Sequence, residues 1–109
     1  AKKSEKAAAM EKQRLMWEQF CQKYSGKLSA EETRASREEA LQMLEKKDTL
    51  PPIRLKIAKY ISDGYTLERN LPKALEYLEI ARDADPESQA AKKLEPWIDN
   101  MRKHINQEK

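Results

Sequence analysis

The sequence predicts an all-α fold of about five helices, and three observations predict it. Ala, Leu, Glu, Lys, Gln and Arg dominate a chain of 109 residues that contains no Val, and these residues lose least on entering a helix. Only two glycines are present, too few for a series of tight β-turns. Apolar residues recur in steps of three and four rather than alternating. The length supports one domain, 1–109, with a modest core. Charged residues make up 38% and aromatics 6%, which suits a helical protein with wide solvated faces better than a large enzyme.

The first helix is expected from about Ser4 to Tyr24, after a segment, 1–6, that frays. Met10, Trp17, Phe20, Cys21 and Tyr24 share one sector at about 100° per residue, leaving Leu15 opposite. Gly26 is the natural stop, because it can take the left-handed conformation that closes a helix. Ser29 with Glu32 three positions on forms a capping box that opens a second helix, running to about Lys47. Ala40, Leu41 and Leu44 face inward there, and Arg37 narrows the stripe. Pro51-Pro52 breaks the chain, and Pro52 sits in the first turn of a third helix reaching Asp63. Its buried stripe is Ile53, Ile57, Tyr60 and Ile61, Gly64 ends it, and Leu55, Lys59 and Ser62 point the other way.

Asn70 caps a fourth helix whose opening turn tolerates Pro72, since that amide has no helical partner. Ala74, Leu75, Leu78 and Ala81 supply its apolar side. Asp85-Pro86 is expected to cap and open a fifth helix, 86–106. Within it Ala91, Leu94, Ile98, Met101 and Ile105 keep phase straight across Pro96. A true break would reset that phase, so one helix kinked at Pro96 is expected.

The net charge of +3 is unevenly spread. Residues 1–28 carry seven basic and three acidic side chains, 29–91 carry ten and thirteen, and 92–109 carry five and three. Mildly positive ends fall short of a nucleic-acid-binding stripe. Lys2, Lys3, Lys6, Lys12 and Arg14 could touch phosphates or an anionic membrane surface, but Glu5 and Glu11 interleave them. No apolar run approaches the ~20 residues of a membrane helix. Cys21 is the only cysteine, so no intrachain disulfide is possible. Its lone thiol fits a cytoplasmic setting. Ala1 stands first without Met, so a processed chain and a trimmed one both stay open, and with a removed signal or anchor the periplasm does too.

No catalytic constellation assembles, and no metal or cofactor is expected. His104 is the sole histidine and reads as a surface residue near the C-terminus. Cys21, beside Trp17 and Phe20, reads as a small buried hydrophobe rather than a reactive thiol. The pairs Glu31-Glu32 and Glu38-Glu39 diverge by about 100° on a helix, so they read as solvated. Gly26 and Gly64 are too far apart for a phosphate loop.

The run from Ile57 to Ala81 carries a more specific pattern. Gly64, Leu67, Asn70 and Lys73-Ala74 follow at intervals, with Tyr77 three residues beyond the alanine and then Ala81. In these residues the run resembles a SEL-one-like repeat, the short relative of the tetratricopeptide repeat. That family shows a glycine, an apolar residue, a capping Asp or Asn, and a Lys-Ala pair at those intervals. Ile57, Ala58 and Ile61 stand where the family has Leu, Gly and Tyr, and Thr66 replaces a second glycine. Gly64 would turn the chain with positive φ. Ala58, Ala74 and Ala81 would let backbones approach, Leu67 would bury the loop, and Tyr77 would cover the next junction. More loosely, Glu39-Ala40 marks a second half-repeat and the fifth helix a first half.

The resemblance implies antiparallel α-hairpins stacked as a short solenoid, with the 53–84 hairpin central and the long outer helices as caps. In such stacks the first helix of each pair lines the concave surface. Leu55, Lys59 and Ser62, with Tyr65 at the loop, would then face a partner, and Lys56 and Lys59 would select an acidic rim. An outward Leu55 meets either that partner or an outer helix folded across it. Trp97, at the edge of the last stripe beside Pro96, fits core or contact, since Trp is enriched in both. The expected function is non-enzymatic: an adaptor or assembly subunit holding a protein or peptide. The alternatives are a self-associating structural subunit and, less favoured, a binder of nucleic acid or anionic membrane through the basic ends.

Overall fold

A computed structural model describes residues 2–107 of the chain. They form α1 (Lys2–Lys23), α2 (Ala30–Glu45), α3 (Pro51–Leu67), α4 (Leu71–Ala84) and α5 (Gln89–Gln107), with no strand among the described residues. The expected all-α fold of five helices is what the chain adopts. The segment expected to fray, 1–6, is helical from Lys2 onward, and Ala1 lies outside the described residues.

Each helix is set by local chemistry and then by what it buries. Gly26 takes φ 81° beyond the end of α1, as a chain reversal there requires. Before α2, the Ser29 hydroxyl accepts from the Glu32 amide and the Glu32 carboxylate accepts from the Ser29 amide, both at 3.1 Å. Pro51 and Pro52 occupy the first turn of α3, where their missing amides cost no helical bond. Asn70 caps α4 by accepting from the Lys73 amide at 3.4 Å. α5 runs unbroken past Pro96.

α3 is the centre of the packing. α2 and α4 lie along it, α5 lies on α4, and α1 rests on α3 through a smaller contact. Ile53, Ile57, Ala58 and Ile61 of α3 join Leu78 and Ala81 of α4, Leu94 and Ile98 of α5, and Ala40 and Leu44 of α2 in one core. Each buried Leu or Ile contributes about 1.5–3 kcal/mol. α1 reaches this core through aromatics: Trp17 and Phe20 stack at 5.0 Å, and Tyr60 of α3 meets both edge-on at 5.7 and 5.1 Å. Between α3 and α4 the helices approach closely enough for the Ser62 hydroxyl to donate to the Ala74 carbonyl at 2.7 Å.

Several expectations are corrected. α3 does not stop at Gly64 but continues to Leu67, and Gly64 keeps ordinary negative φ. The reversal falls at Arg69, with φ 62°, where the Asn70 amide donates to Tyr65 O at 2.9 Å and the Arg69 amide to Thr66 O at 3.0 Å. These bonds hold a non-glycine residue in a conformation that costs roughly 1–2 kcal/mol. Leu67, at 81% exposure, does not bury the loop. Asp85-Pro86 does not open α5. Those residues form a turn, and the Ser88 hydroxyl caps the helix by accepting from the Ala91 amide at 3.1 Å. Cys21 is exposed rather than buried, because Trp17, Phe20 and Tyr60 fill the contact that its face would share.

Candidate partner-binding groove

Loops of only three and four residues, 68–70 and 85–88, join α3 to α4 and α4 to α5. Both outer helices therefore run against α4 and parallel to each other, leaving a groove between them with α4 as its floor. Leu71 and Leu78 form that floor. Ser62, Asp63 and Thr66 line the α3 wall, and Trp97, Asn100, Met101 and His104 the α5 wall, around about 310 Å³. Trp97 is 52% exposed at the mouth. The Lys59 ammonium lies 5.2 Å from the centre of its ring and 3.2 Å from the Asp63 carboxylate. A cation over an exposed indole is worth about 0.5–1 kcal/mol, and it fixes the orientation of Trp97.

The six residues expected at a partner surface divide sharply. Lys59 and Trp97 come together at the groove mouth, and Lys56 is exposed on the α3 strip leading to it. Leu55 and Ser62 do not face outward: they are 4% and 1% exposed. α3 is covered on more than one stripe, so Leu55 joins the core and Ser62 spends its hydroxyl on the Ala74 carbonyl.

Tyr65 is half-buried within α3, not at a loop. It stacks on Tyr77 at 5.7 Å and receives the Arg37 guanidinium at 4.5 Å, while Arg37 pairs with Glu68 at 2.6 Å. That cluster ties α2, α3 and α4 together. Burial pushes the Tyr77 phenol up, consistent with its place inside the junction.

Of the nine lining residues the sequence names only Ser62 and Trp97 as site candidates, and Asp63, Thr66 and Asn100 are among the seven it does not. Leu71 was passed over, Leu78 and Met101 read as core, and His104 as surface. His104 lies seven positions after Trp97, two turns along the same face, and that spacing was the available signal.

A second hollow of about 370 Å³ lies where α1 meets the α2–α3 loop, lined by Met16, Met43, Ile53 and Ile57. Gln13 crosses it to reach the loop backbone. Nearby, the Tyr24 hydroxyl donates to the Glu39 carboxylate at 2.7 Å, and Lys23 adds a 3.2 Å contact. These bonds hold Glu39 below the usual carboxylate range, the tyrosine contributing most. Partial desolvation pushes the Cys21 thiol up, away from the thiolate form. Among the described residues, no group of three His, Cys, Asp or Glu side chains could hold a metal ion, and no helix is long and apolar enough to cross a membrane.

Fold and surface together define the class: an all-helical domain with a tryptophan-edged apolar groove. No family model matches the chain, and comparison with curated proteins and with solved structures found no match either.

Proposed function

We propose that this chain is a non-enzymatic protein-interaction module that holds a segment of another protein in the groove between α3 and α5. The observation that carries the reading is Trp97, half in solvent above an apolar pocket and oriented by Lys59. A large rigid side chain at the lip of a concave apolar surface is the kind of anchor on which interfaces concentrate binding energy. The stacking of α2 through α5, each helix on its predecessor, favours a small SEL-one-like or tetratricopeptide-like scaffold. In that scheme α3 and α5 are the groove-lining first helices. Gly64 inside α3 is a departure from that pattern.

Affinity capture from native extract with the intact chain and with Trp97→Glu tests the reading. Partners lost by the variant at unchanged helicity support it, and an unchanged set of partners contradicts it. A second reading, self-association, is favoured by Leu15 and Met16, which lie exposed on α1. Sedimentation at several concentrations separates the two, because only self-association shifts the sedimentation coefficient.

A further inference from the structure

The charges of α5 are sorted by sign about the α3–α5 groove. α5 is amphipathic about Ala91, Leu94 and Ile98, and its two described carboxylates lie on the α4 side of that stripe. Glu95 sits 3.6 Å from Arg82, and Asp99 shares Arg102 with Glu79 of α4. On the groove side, Lys93 stands one turn before Trp97 and His104 two turns after it, with no carboxylate between them on that face. Across the groove α3 presents Lys56, Lys59 and Asp63 at successive turns. Since α3 and α5 run the same way, Lys56 and Lys93 both stand one turn before the Lys59–Trp97 contact.

Among the described residues neither Lys56 nor Lys93 takes part in an ion pair, whereas Asp63 is engaged by Lys59. The charge of Lys56 reaches toward Cys21 of α1, and the carboxylate there, Glu18, is held by Arg14. Unspent positive charge thus stands about one helical turn from the apolar pocket on both of its walls.

We infer that the occupant of this groove is an acidic peptide segment with a bulky apolar anchor. The inference rests on the interaction reading above and adds the partner's chemistry. The anchor enters beside Trp97 onto Leu71, Leu78 and Met101, and carboxylates one turn away meet Lys56 and Lys93. A pocket of about 310 Å³ lies at the small end of ligand sites and takes one or two side chains. Single-stranded nucleic acid fits less well. It needs a basic track along its phosphates, which Asp63 interrupts, and an open aromatic face, which Lys59 covers. Exposed ion pairs are individually weak, so the lysines select the partner and speed its arrival while the anchor holds it.

The test uses three short synthetic peptides sharing the same Leu and Phe anchors, with Glu, Gln or Lys at every other position. Binding is read on the intact chain from the Trp97 indole N–H resonance, and a single-stranded oligonucleotide serves as competitor. The Glu peptide is expected to bind tightest and to shift that resonance. Replacing Lys56 and Lys93 by Glu should weaken it by about tenfold while moving the Gln peptide by no more than about twofold. Equal affinity for all three peptides overturns the acidic preference and leaves the groove reading standing. A Trp97 resonance unmoved by every peptide overturns both. Tighter binding of the oligonucleotide than of the Glu peptide, lost on the same lysine replacements, overturns the inference in favour of nucleic acid.

Discussion

Gln13 of α1 grips Leu50, the residue that opens α3, through a two-way amide clasp. Its Oε1 accepts from the Leu50 amide at 2.8 Å, and its Nε2 donates to the carbonyl of Asp48 at 2.8 Å. The Leu50 amide lies before α3 and has no helical partner of its own, so a side chain supplies one. This clasp, the Trp17–Phe20–Tyr60 aromatic contact and the Lys23–Glu39 ion pair join α1 to the rest of the fold.

Gln13→Ala should therefore destabilise the chain by about 1–2 kcal/mol, the cost of two hydrogen bonds and a half-buried amide left unpaired. Gln13→Glu keeps the acceptor for Leu50 but sets a carboxylate against the Asp48 carbonyl, so it should fare no better. Urea titration of both variants checks this. Wild-type stability in either one would show that the clasp contributes nothing.

Gly64→Ala should stabilise the protein by about 0.5–1 kcal/mol. Gly64 lies within α3 without positive φ, and a Cβ built there meets nothing within 4 Å. Alanine then gains helix propensity at no steric cost. A lower melting temperature for this variant would restore the sequence-based expectation that the glycine turns the chain.

The contrast between Gly64 and Gly26 shows where the sequence was legible. Caps and stops that depend on neighbours in the chain were readable: Ser29 with Glu32, Asn70, and the left-handed Gly26. So was the phase of Ala91, Leu94 and Ile98 across Pro96. Burial that depends on distant helices was not. Leu55 looked outward on a wheel drawn for one stripe, yet α3 is enclosed by neighbours on several sides. Leu67 looked like a loop filler because the helix was expected to end earlier. Of the groove, Lys59, Ser62 and Trp97 are candidates by sequence, but how they come together depends on how α5 lies over α4, which no local pattern encodes.

Leu55 and Trp97 should accordingly respond to different degrees. Leu55→Ala opens a cavity in the core and should cost about 2–5 kcal/mol. Trp97→Ala, at the groove mouth, should cost less, about 1–2 kcal/mol, since about half of the ring's surface already lies in solvent. Thermal melts followed by circular dichroism compare the two, and a larger loss for Trp97→Ala would place that ring in the core.

The Tyr24–Glu39–Lys23 cluster should leave a mark on acid stability. The folded state holds Glu39 below its ordinary range, so the unfolded state binds its proton more readily. The resulting stabilisation is present above the unfolded value and is lost as pH falls through the folded one. Melting temperature measured from neutral into the acid range should fall less steeply for Glu39→Gln than for wild type, from a lower starting point. Parallel curves would show that this cluster contributes nothing to acid stability.

Photo-crosslinking from two positions tests the α3–α5 binding groove most directly. A benzophenone amino acid replaces Trp97 in one sample and the exposed Leu67 in another, and each is irradiated in native extract. A discrete crosslinked product from position 97 that is absent from position 67 is the predicted result. The same products from both positions, or a product from position 67 alone, would contradict a binding groove between α3 and α5.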